Sequence, residues 1–125
     1  MFQLTQSLSP QRLKELIVHF LDSKKAEDIV TVDLHGKSSI ADFLVIASGR
    51  SQRQVASMGE LLREELKKKG IKNIHIEGLT QGDWVLLDAG DVIVHLFRPE
   101  VRVFYNLEKM WGIDISEDTP KTSFF

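Results

Sequence analysis

The chain of 125 residues contains no cysteine, so it has neither disulfide bonds nor thiolate ligands for a metal ion. The lack of cysteine fits a reducing compartment, and we expect a cytoplasmic protein. No apolar run approaches the ~20 residues that span a bilayer. The N-terminus, MFQLTQSLSP, lacks both the basic start and the apolar block of a signal peptide.

Basic residues are not in excess. The 16 Lys and Arg residues stand against 18 Asp and Glu residues, which gives a formal net charge of −2. A protein that binds nucleic acid through phosphate contacts usually has a basic excess, so any contact with RNA has to be local. Composition is ordinary for a globular protein, with 42% hydrophobic residues. The length predicts a single domain, residues 1–125, with a core that needs no crosslinks.

Helical and strand patterns follow one another in the order α-β-β-α-β-β-β-α. Ser9 and Pro10 begin the first helix as N-cap and first helical residue. Ser51 and Gln54 form a capping box for the second helix, which ends at Gly70. The predicted strands are residues 28–34, 41–49 and 73–77 and the two halves of 83–97. We therefore predict an α/β (α+β) fold with a mixed sheet of about five strands covered by helices.

We predict a last helix and a polar tail at the end of the chain. The helix begins at residues 98–100 and ends at Gly112, with Tyr105 and Glu108 as neighbours on one side. Residues 116–125 are polar and contain a proline, so we predict a flexible tail there. The core of the domain accordingly spans residues 9–112.

The stretch 83–97, DWVLLDAGDVIVHLF, predicts a β-hairpin whose apolar halves flank the dipeptide Ala89-Gly90. A two-residue loop at this dipeptide pairs Trp84 with His95. A three-residue loop shifts the register by one residue and pairs Trp84 with Val94. The sequence leaves both registers open.

Alternation of side chains divides the hairpin into two faces. The first face is aliphatic and ready to be covered by helices: Val85, Leu87, Val92, Val94 and Leu96. The second face combines rings with aliphatic side chains: Trp84, Leu86, Ile93, His95 and Phe97. Such a composition is typical of a contact surface. The alternative is a sheet buried on both faces, in which Trp84 and His95 are core residues with satisfied N–H groups.

Groups that could carry catalysis are few. The four histidines form no i, i+4 pair, and neither HExxH nor a cysteine ligand is present, so we predict no metal site and no cofactor. Asp33 and Asp42 lie near the ends of adjacent strands, where a magnesium ion with phosphates is conceivable. The junction from Gly49 to Ser51 is a candidate anion site, but it lacks the spacing of a P-loop. A nucleotide-binding or nucleotidyltransferase-like enzyme at these residues is the alternative function, although two isolated aspartates are too few for two-metal phosphoryl transfer.

Five segments, in order, resemble the ribosomal silencing factor family, also called the Iojap-like family. They are KAEDIVTVDL (25–34), SIADFLVIASGRSQRQV (39–55), IEG (76–78), WVLLDAGDVIVHLF (84–97) and EVRVFYNLEKMWG (100–112). The resemblance implies a fold with nucleotidyltransferase-like topology and a role that is not enzymatic.

The resemblance also implies a function and a contact surface. Family members bind the large ribosomal subunit through its interface protein, large-subunit protein fourteen, and block joining of the small subunit when nutrients are scarce. The residues that match the family's contact surface for this ribosomal protein are Trp84, Leu86, Asp88, His95 and Phe97, with Tyr105 and Glu108 from the predicted last helix. We therefore expect a translational repressor with at most a minor contact to ribosomal RNA, no membrane contact and a homodimeric free state.

Overall fold

A computed structural model describes residues 8–101 of the chain. The elements are α1 (Pro10–Ser23), β1 (Glu27–Asp33), β2 (Phe43–Ser48), α2 (Gln52–Lys68), β3 (His75–Glu77), β4 (Trp84–Asp88) and β5 (Val92–Phe97). Residues 99–101 are helical, which agrees with the predicted start of the last helix. The remainder of that helix, with Tyr105 and Glu108, and the predicted tail lie outside the described residues.

Within the described range, the five strands form a mixed sheet in the order β1-β2-β5-β4-β3. β2 and β5 run parallel to each other, whereas the other three neighbouring pairs are antiparallel. β2 and β5 are the strands whose side chains are buried almost throughout, as their continuous apolar sequences predict. The predicted mixed sheet of five strands is confirmed.

The helices α1 and α2 begin as their sequences predict. The hydroxyl of Ser9 accepts a hydrogen bond from Arg12 N at 3.2 Å, and Pro10 is the first helical residue. In the same way, the hydroxyl of Ser51 accepts a hydrogen bond from Gln54 N at 3.1 Å. Each bond satisfies one of the N–H groups that the first helical turn leaves without a partner.

Both helices pack on the same face of the sheet. Their apolar stripes, with residues three or four positions apart, meet the side chains of the strands. The helices contribute Leu13, Ile17, Leu21, Val55, Met58, Leu62 and Leu66 to this core, and the strands contribute Val45, Ala47, Val85, Leu87, Val92, Val94 and Leu96. Every residue assigned to the first face of the hairpin is in this core, so that assignment is confirmed.

A second apolar cluster lies on the opposite face of the sheet. Its buried members are Val32, Leu34, Ala41, Leu44, Ile46, Ile93 and Phe97, and Trp84, Leu86 and Val101 pack against them. No residue of α1 or α2 belongs to this cluster. The two halves of the hairpin therefore place their alternate side chains in two separate cores.

The hairpin register differs from both predicted alternatives. Trp84 pairs with Phe97, so neither His95 nor Val94 is its partner. The true partner lies two residues beyond His95. A shift of two residues leaves every side chain on its predicted face, because side chains along a strand alternate with a period of two.

The turn of the hairpin lies one residue further along the chain than predicted. Ala89 N donates to Val92 O at 3.0 Å, so Gly90 and Asp91 are the two turn residues. Gly90 has a φ of +92° and stands at the first turn position, which type II′ turns reserve for glycine. Asp88 Oδ1 also accepts a hydrogen bond from Gly90 N at 2.8 Å. The prediction had placed glycine at the second position, which is the source of the register error.

Candidate functional site

Three of the predicted contact residues lie in a row along β4. Trp84, Leu86 and Asp88 occupy alternate positions on the face that points away from α1 and α2, and all three are half-buried. The intervening residues of β4 are fully buried under the helices. This row is the accessible part of the hairpin's second face.

Trp84 is hydrogen-bonded to a buried histidine on the neighbouring strand. Its Nε1 donates to His95 Nδ1 at 2.9 Å, and His95 is only 1% exposed. An indole N–H can only donate, so Nδ1 is the acceptor and the proton of the neutral imidazole is on Nε2. Burial lowers the pKa of His95 from 6.5 to about 4, which keeps the ring neutral at pH 7.

Trp84, His95 and Phe97 form a cluster of three rings. The Trp84 ring centroid lies 5.0 Å from that of Phe97 and 5.9 Å from that of His95, and the His95 and Phe97 centroids are 5.8 Å apart. These separations fall in the range in which aromatic rings attract one another. Trp84 is thus held by two ring contacts and a hydrogen bond, and its orientation is set before any partner arrives.

The expectation of an open second face is wrong at β5. His95 and Phe97 are 1% and 0% exposed, so the alternative of a sheet buried on both sides describes this strand correctly. The face stays accessible at β4, where Trp84 is half-buried. β5 lies between β2 and β4, so side chains of both neighbouring strands flank His95 and Phe97 on this face.

Two residues that the sequence pattern did not single out lie beside this row. Across the β3–β4 ladder, His75 pairs with Asp88 and Glu77 pairs with Leu86, and directly opposed residues point to the same face. Their side chains are 65% and 67% exposed, and His75 Nε2 lies 2.6 Å from Glu77 Oε2. We call His75, Glu77, Trp84, Leu86 and Asp88 the β3–β4 patch. The strand at residues 73–77 was predictable, but its neighbours depend on the sheet order.

The aspartates of the alternative nucleotide site lie far from its loop. Asp33 and Asp42 precede β2, whereas Gly49 and Ser51 follow it. At ~3.3 Å per residue, Asp42 and Gly49 are roughly 20 Å apart along the strand. Asp33 Oδ1 accepts a hydrogen bond from His35 N at 2.8 Å, which is a local turn contact. The four residues therefore do not form a common site.

Two backbone donors of the strand-to-helix junction already form hydrogen bonds within the protein. Gly49 N donates to Phe97 O at 2.9 Å, and Arg50 N donates to Gln54 Oε1 at 2.6 Å. The Arg50 guanidinium is 3.3 Å from a carboxylate oxygen of Glu27. An anion at this junction would have to displace these contacts. Among residues 8–101, no group of three or more His, Cys, Asp or Glu side chains is placed to hold a metal ion.

Comparison with known proteins identifies the family. The profile described as "Ribosomal silencing factor during starvation" (RsfS) matches residues 7–124. This chain belongs to the RsfS family. The resemblance carried by the five sequence segments is confirmed. Neither helix with described bounds is long and apolar enough to cross a membrane.

Similar RsfS proteins cover most of the chain. "Ribosomal silencing factor RsfS" of Zymomonas mobilis is 54% identical over 114 residues, which is 91% of this chain and 86% of that protein. The protein of the same name from Halalkalibacterium halodurans is 44% identical over 105 residues, or 84% of this chain and 90% of the relative. "Mitochondrial assembly of ribosomal large subunit protein 1" of mouse is 32% identical over 107 residues, which cover 83% of this chain and 47% of the mouse protein.

Solved structures share the fold. A crystal structure of a Chromobacterium violaceum protein superposes with a TM-score of 0.81 and 35% sequence identity, covering 94% of this chain and 92% of that one. A Bacillus halodurans protein superposes with a TM-score of 0.73 and 42% identity, covering 81% and 94% of the two chains. The RsfS fold, a mixed five-stranded sheet with helices, is therefore that of this chain.

Proposed function

We propose that this protein represses translation by binding the large ribosomal subunit through the β3–β4 patch and sterically blocking joining of the small subunit. Membership in the RsfS family supports a silencing role, and the name of the mouse relative associates that protein with the large subunit. The proposed receptor is the interface protein of the large subunit, large-subunit protein fourteen. The observation that carries the proposal is the fixed, half-exposed Trp84 beside Leu86 on β4.

A fixed tryptophan is well suited to binding another protein. Tryptophan is enriched among the residues that dominate binding energy, and it offers a large area of contact. Because its hydrogen bond to His95 and its contact with Phe97 already hold Trp84, little side-chain entropy is lost when a partner covers it. His95 and Phe97 would thus contribute to binding through Trp84 and not through their own surface.

Acidic side chains flank the apolar centre of the patch. Glu77 lies opposite Leu86, and Asp88 follows two residues along β4. Ribosomal proteins are typically basic, so these carboxylates complement the expected receptor. Complementary charge of this kind raises the rate of association and fixes the register of the complex.

The complete proposed contact surface includes residues beyond the described range. Its members are His75, Glu77, Trp84, Leu86 and Asp88 in direct contact, His95 and Phe97 as supports, and Tyr105 and Glu108 as polar anchors from the predicted last helix. Any contact with ribosomal RNA is minor in this proposal, because the chain has no basic excess.

The proposed mechanism is occlusion and not catalysis. A rigid domain anchored on the interface side of the large subunit excludes the small subunit by occupying its space. The protein then acts in the cytoplasm as a stoichiometric binder without a cofactor, and the homodimer implied by the family resemblance is its free form. Asp33 and Asp42 have no part in this mechanism beyond their local turns.

Reassociation of purified subunits tests this function. Wild-type protein is titrated against large subunits at defined magnesium without nucleotide, and light scattering reports their joining to small subunits. We expect inhibition to saturate at equimolar protein. Trp84→Ala should lose the inhibition, with Leu86→Ala as a second variant because Trp84 also supports the fold.

The double variant Asp33→Asn, Asp42→Asn is the matched control in this assay. It should inhibit like the wild type, since neither aspartate lies in the patch. Inhibition at strongly substoichiometric protein, or its loss in the folded aspartate variant, would contradict occlusion and favour catalysis.

A further inference from the structure

The Trp84 end of the hairpin is closed by a pair of contacts between Asp83 and Arg98. Trp84 and Phe97 form the last residue pair of the β4–β5 ladder. The ends of such ladders open more readily than their centres. Directly outside this pair, Arg98 N donates to Asp83 O at 3.2 Å, and Arg98 Nε donates to Asp83 Oδ1 at 2.9 Å. A backbone bond and a side-chain bond thus join the strands where they would otherwise fray.

Asp83 also connects this end of the hairpin to α2. Gln52, the first residue of α2, donates through Nε2 to Asp83 Oδ1 at 2.8 Å. The hydrogen bond from Gln52, followed by the charge and hydrogen bond of Arg98, lowers the pKa of Asp83 against the opposing effect of burial. The carboxylate is therefore ionised at neutral pH and accepts two bonds from different elements.

The backbone of Trp84 is also packed against a loop on its other side. Gly78 has a φ of +91°, and a Cβ atom at this position would collide with the carbonyl oxygen of Trp84. Gly82 N donates to Gly78 O at 2.9 Å, which closes the loop just before Asp83. Trp84 thus sits between a close-packed glycine and the Asp83 contacts.

We propose that Asp83 is a positioning residue of the β3–β4 patch. By joining the start of β4 to Arg98 and Gln52, it keeps the ladder closed at Trp84, so that Trp84 keeps the contacts with His95 and Phe97 that orient it toward its partner. The proposal rests on the proposed function, in which Trp84 contacts the large subunit. Asp83 acts through Trp84, because its carboxylate is engaged by the protein's own donors.

Two variants of Asp83 separate hydrogen bonding from charge. Asp83→Ala removes both side-chain bonds, whereas Asp83→Asn keeps an oxygen that accepts from Gln52 and Arg98. Glu27→Ala is the matched control, since it breaks the Arg50 ion pair of another carboxylate of similar exposure, 46% against 42%. Trp84→Ala and Leu86→Ala test the patch itself.

Two measurements are needed. The first is the dissociation constant for purified large ribosomal subunits, obtained by co-sedimentation. The second is hydrogen exchange of the Trp84 indole N–H by NMR in the free protein, with the signal assigned by its loss in Trp84→Phe. The exchange rate reports how firmly the Trp84 side chain is held, and it does so in the absence of ribosomes.

We expect Asp83→Ala to raise the dissociation constant about fivefold to tenfold, which corresponds to the net contribution of one ordinary hydrogen bond, and to speed indole exchange. Asp83→Asn should restore most of both properties, and Glu27→Ala should match the wild type in both. Unchanged indole exchange in Asp83→Ala would overturn the positioning role.

The dissociation constants distinguish the positioning role of Asp83 from the proposed function of the β3–β4 patch. Faster exchange with wild-type binding in Asp83→Ala, while Leu86→Ala binds weakly, would overturn the positioning role and leave the proposed function standing. Wild-type binding by both Trp84→Ala and Leu86→Ala would overturn the proposed function. The exchange rate would then still show whether Asp83 holds Trp84.

Discussion

Acidification from pH 7 to pH 5 should destabilise this protein through His95. The folded-state pKa of His95 is about 4, against an ordinary value of 6.5. As the pH falls through 6.5, the unfolded chain gains a proton on this residue that the folded protein does not bind. The stability that neutral His95 contributes is therefore complete above pH 6.5 and is lost progressively as the pH falls toward 4.

The size of the effect follows from the shift in pKa. A difference of about 2.5 units corresponds to roughly 3 kcal/mol once both states have titrated, and about 2 kcal/mol of this is lost between pH 7 and pH 5. The cause of the shift in pKa is burial, because the charged ring would lose its hydration at a position that is only 1% exposed. In addition, Trp84 Nε1 donates to His95 Nδ1, the atom that would have to take the second proton. Protonation of His95 in the folded protein would make the N–H groups of His95 Nδ1 and Trp84 Nε1 face each other at a buried position.

Urea unfolding of wild type and His95→Gln at pH 7 and pH 5 measures this loss. The variant changes absolute stability as well, so the quantity to compare is the change between the two pH values. We expect the wild type to lose about 2 kcal/mol more than His95→Gln. His19→Gln, an exposed histidine on α1, should behave like the wild type. Equal losses in wild type and His95→Gln would refute the reasoning.

Three further perturbations test the packing and the patch. Leu87→Ala should cost ~2–5 kcal/mol in urea unfolding through a cavity in the helix-covered core, and the half-buried Leu86→Ala should cost less. Gly78→Ala should have a lower melting temperature than Gly90→Ala. Both positions have a φ above +90°, but only Gly78 packs against a backbone carbonyl oxygen. Equal melting temperatures would contradict this explanation. Glu77→Lys should slow association with large subunits, most strongly at low salt, and a salt-independent rate equal to that of the wild type would argue against electrostatic steering.

The features that depend on neighbours in the chain could be predicted from the sequence. Ser9 and Ser51 cap their helices as their positions indicate, because a capping hydroxyl acts on N–H groups only two or three residues away. The hairpin at residues 83–97 and the division of its side chains into two faces follow from alternation alone. The family resemblance rests on the same local segments.

The candidate site was only partly predictable from the sequence. Alternation put Trp84, Leu86 and His95 on one open face; Trp84 and Leu86 are half-buried there, but His95 is buried. A histidine between apolar residues has the same sequence signature whether its strand lies at the centre or near the edge of a sheet. Only the strand order β1-β2-β5-β4-β3 places β5 in the middle.

Contacts between distant parts of the chain were decided by the tertiary structure. The hydrogen bond from Gln52 to Asp83 joins residues 31 positions apart. Glu77 lies opposite Leu86 only because β3 pairs with β4 in the sheet. The hairpin register is decided by the Gly90–Asp91 turn together with the packing of both faces. Alternation is a local property of the backbone, whereas the choice of neighbouring strand is made by the shared burial of apolar side chains from the whole chain.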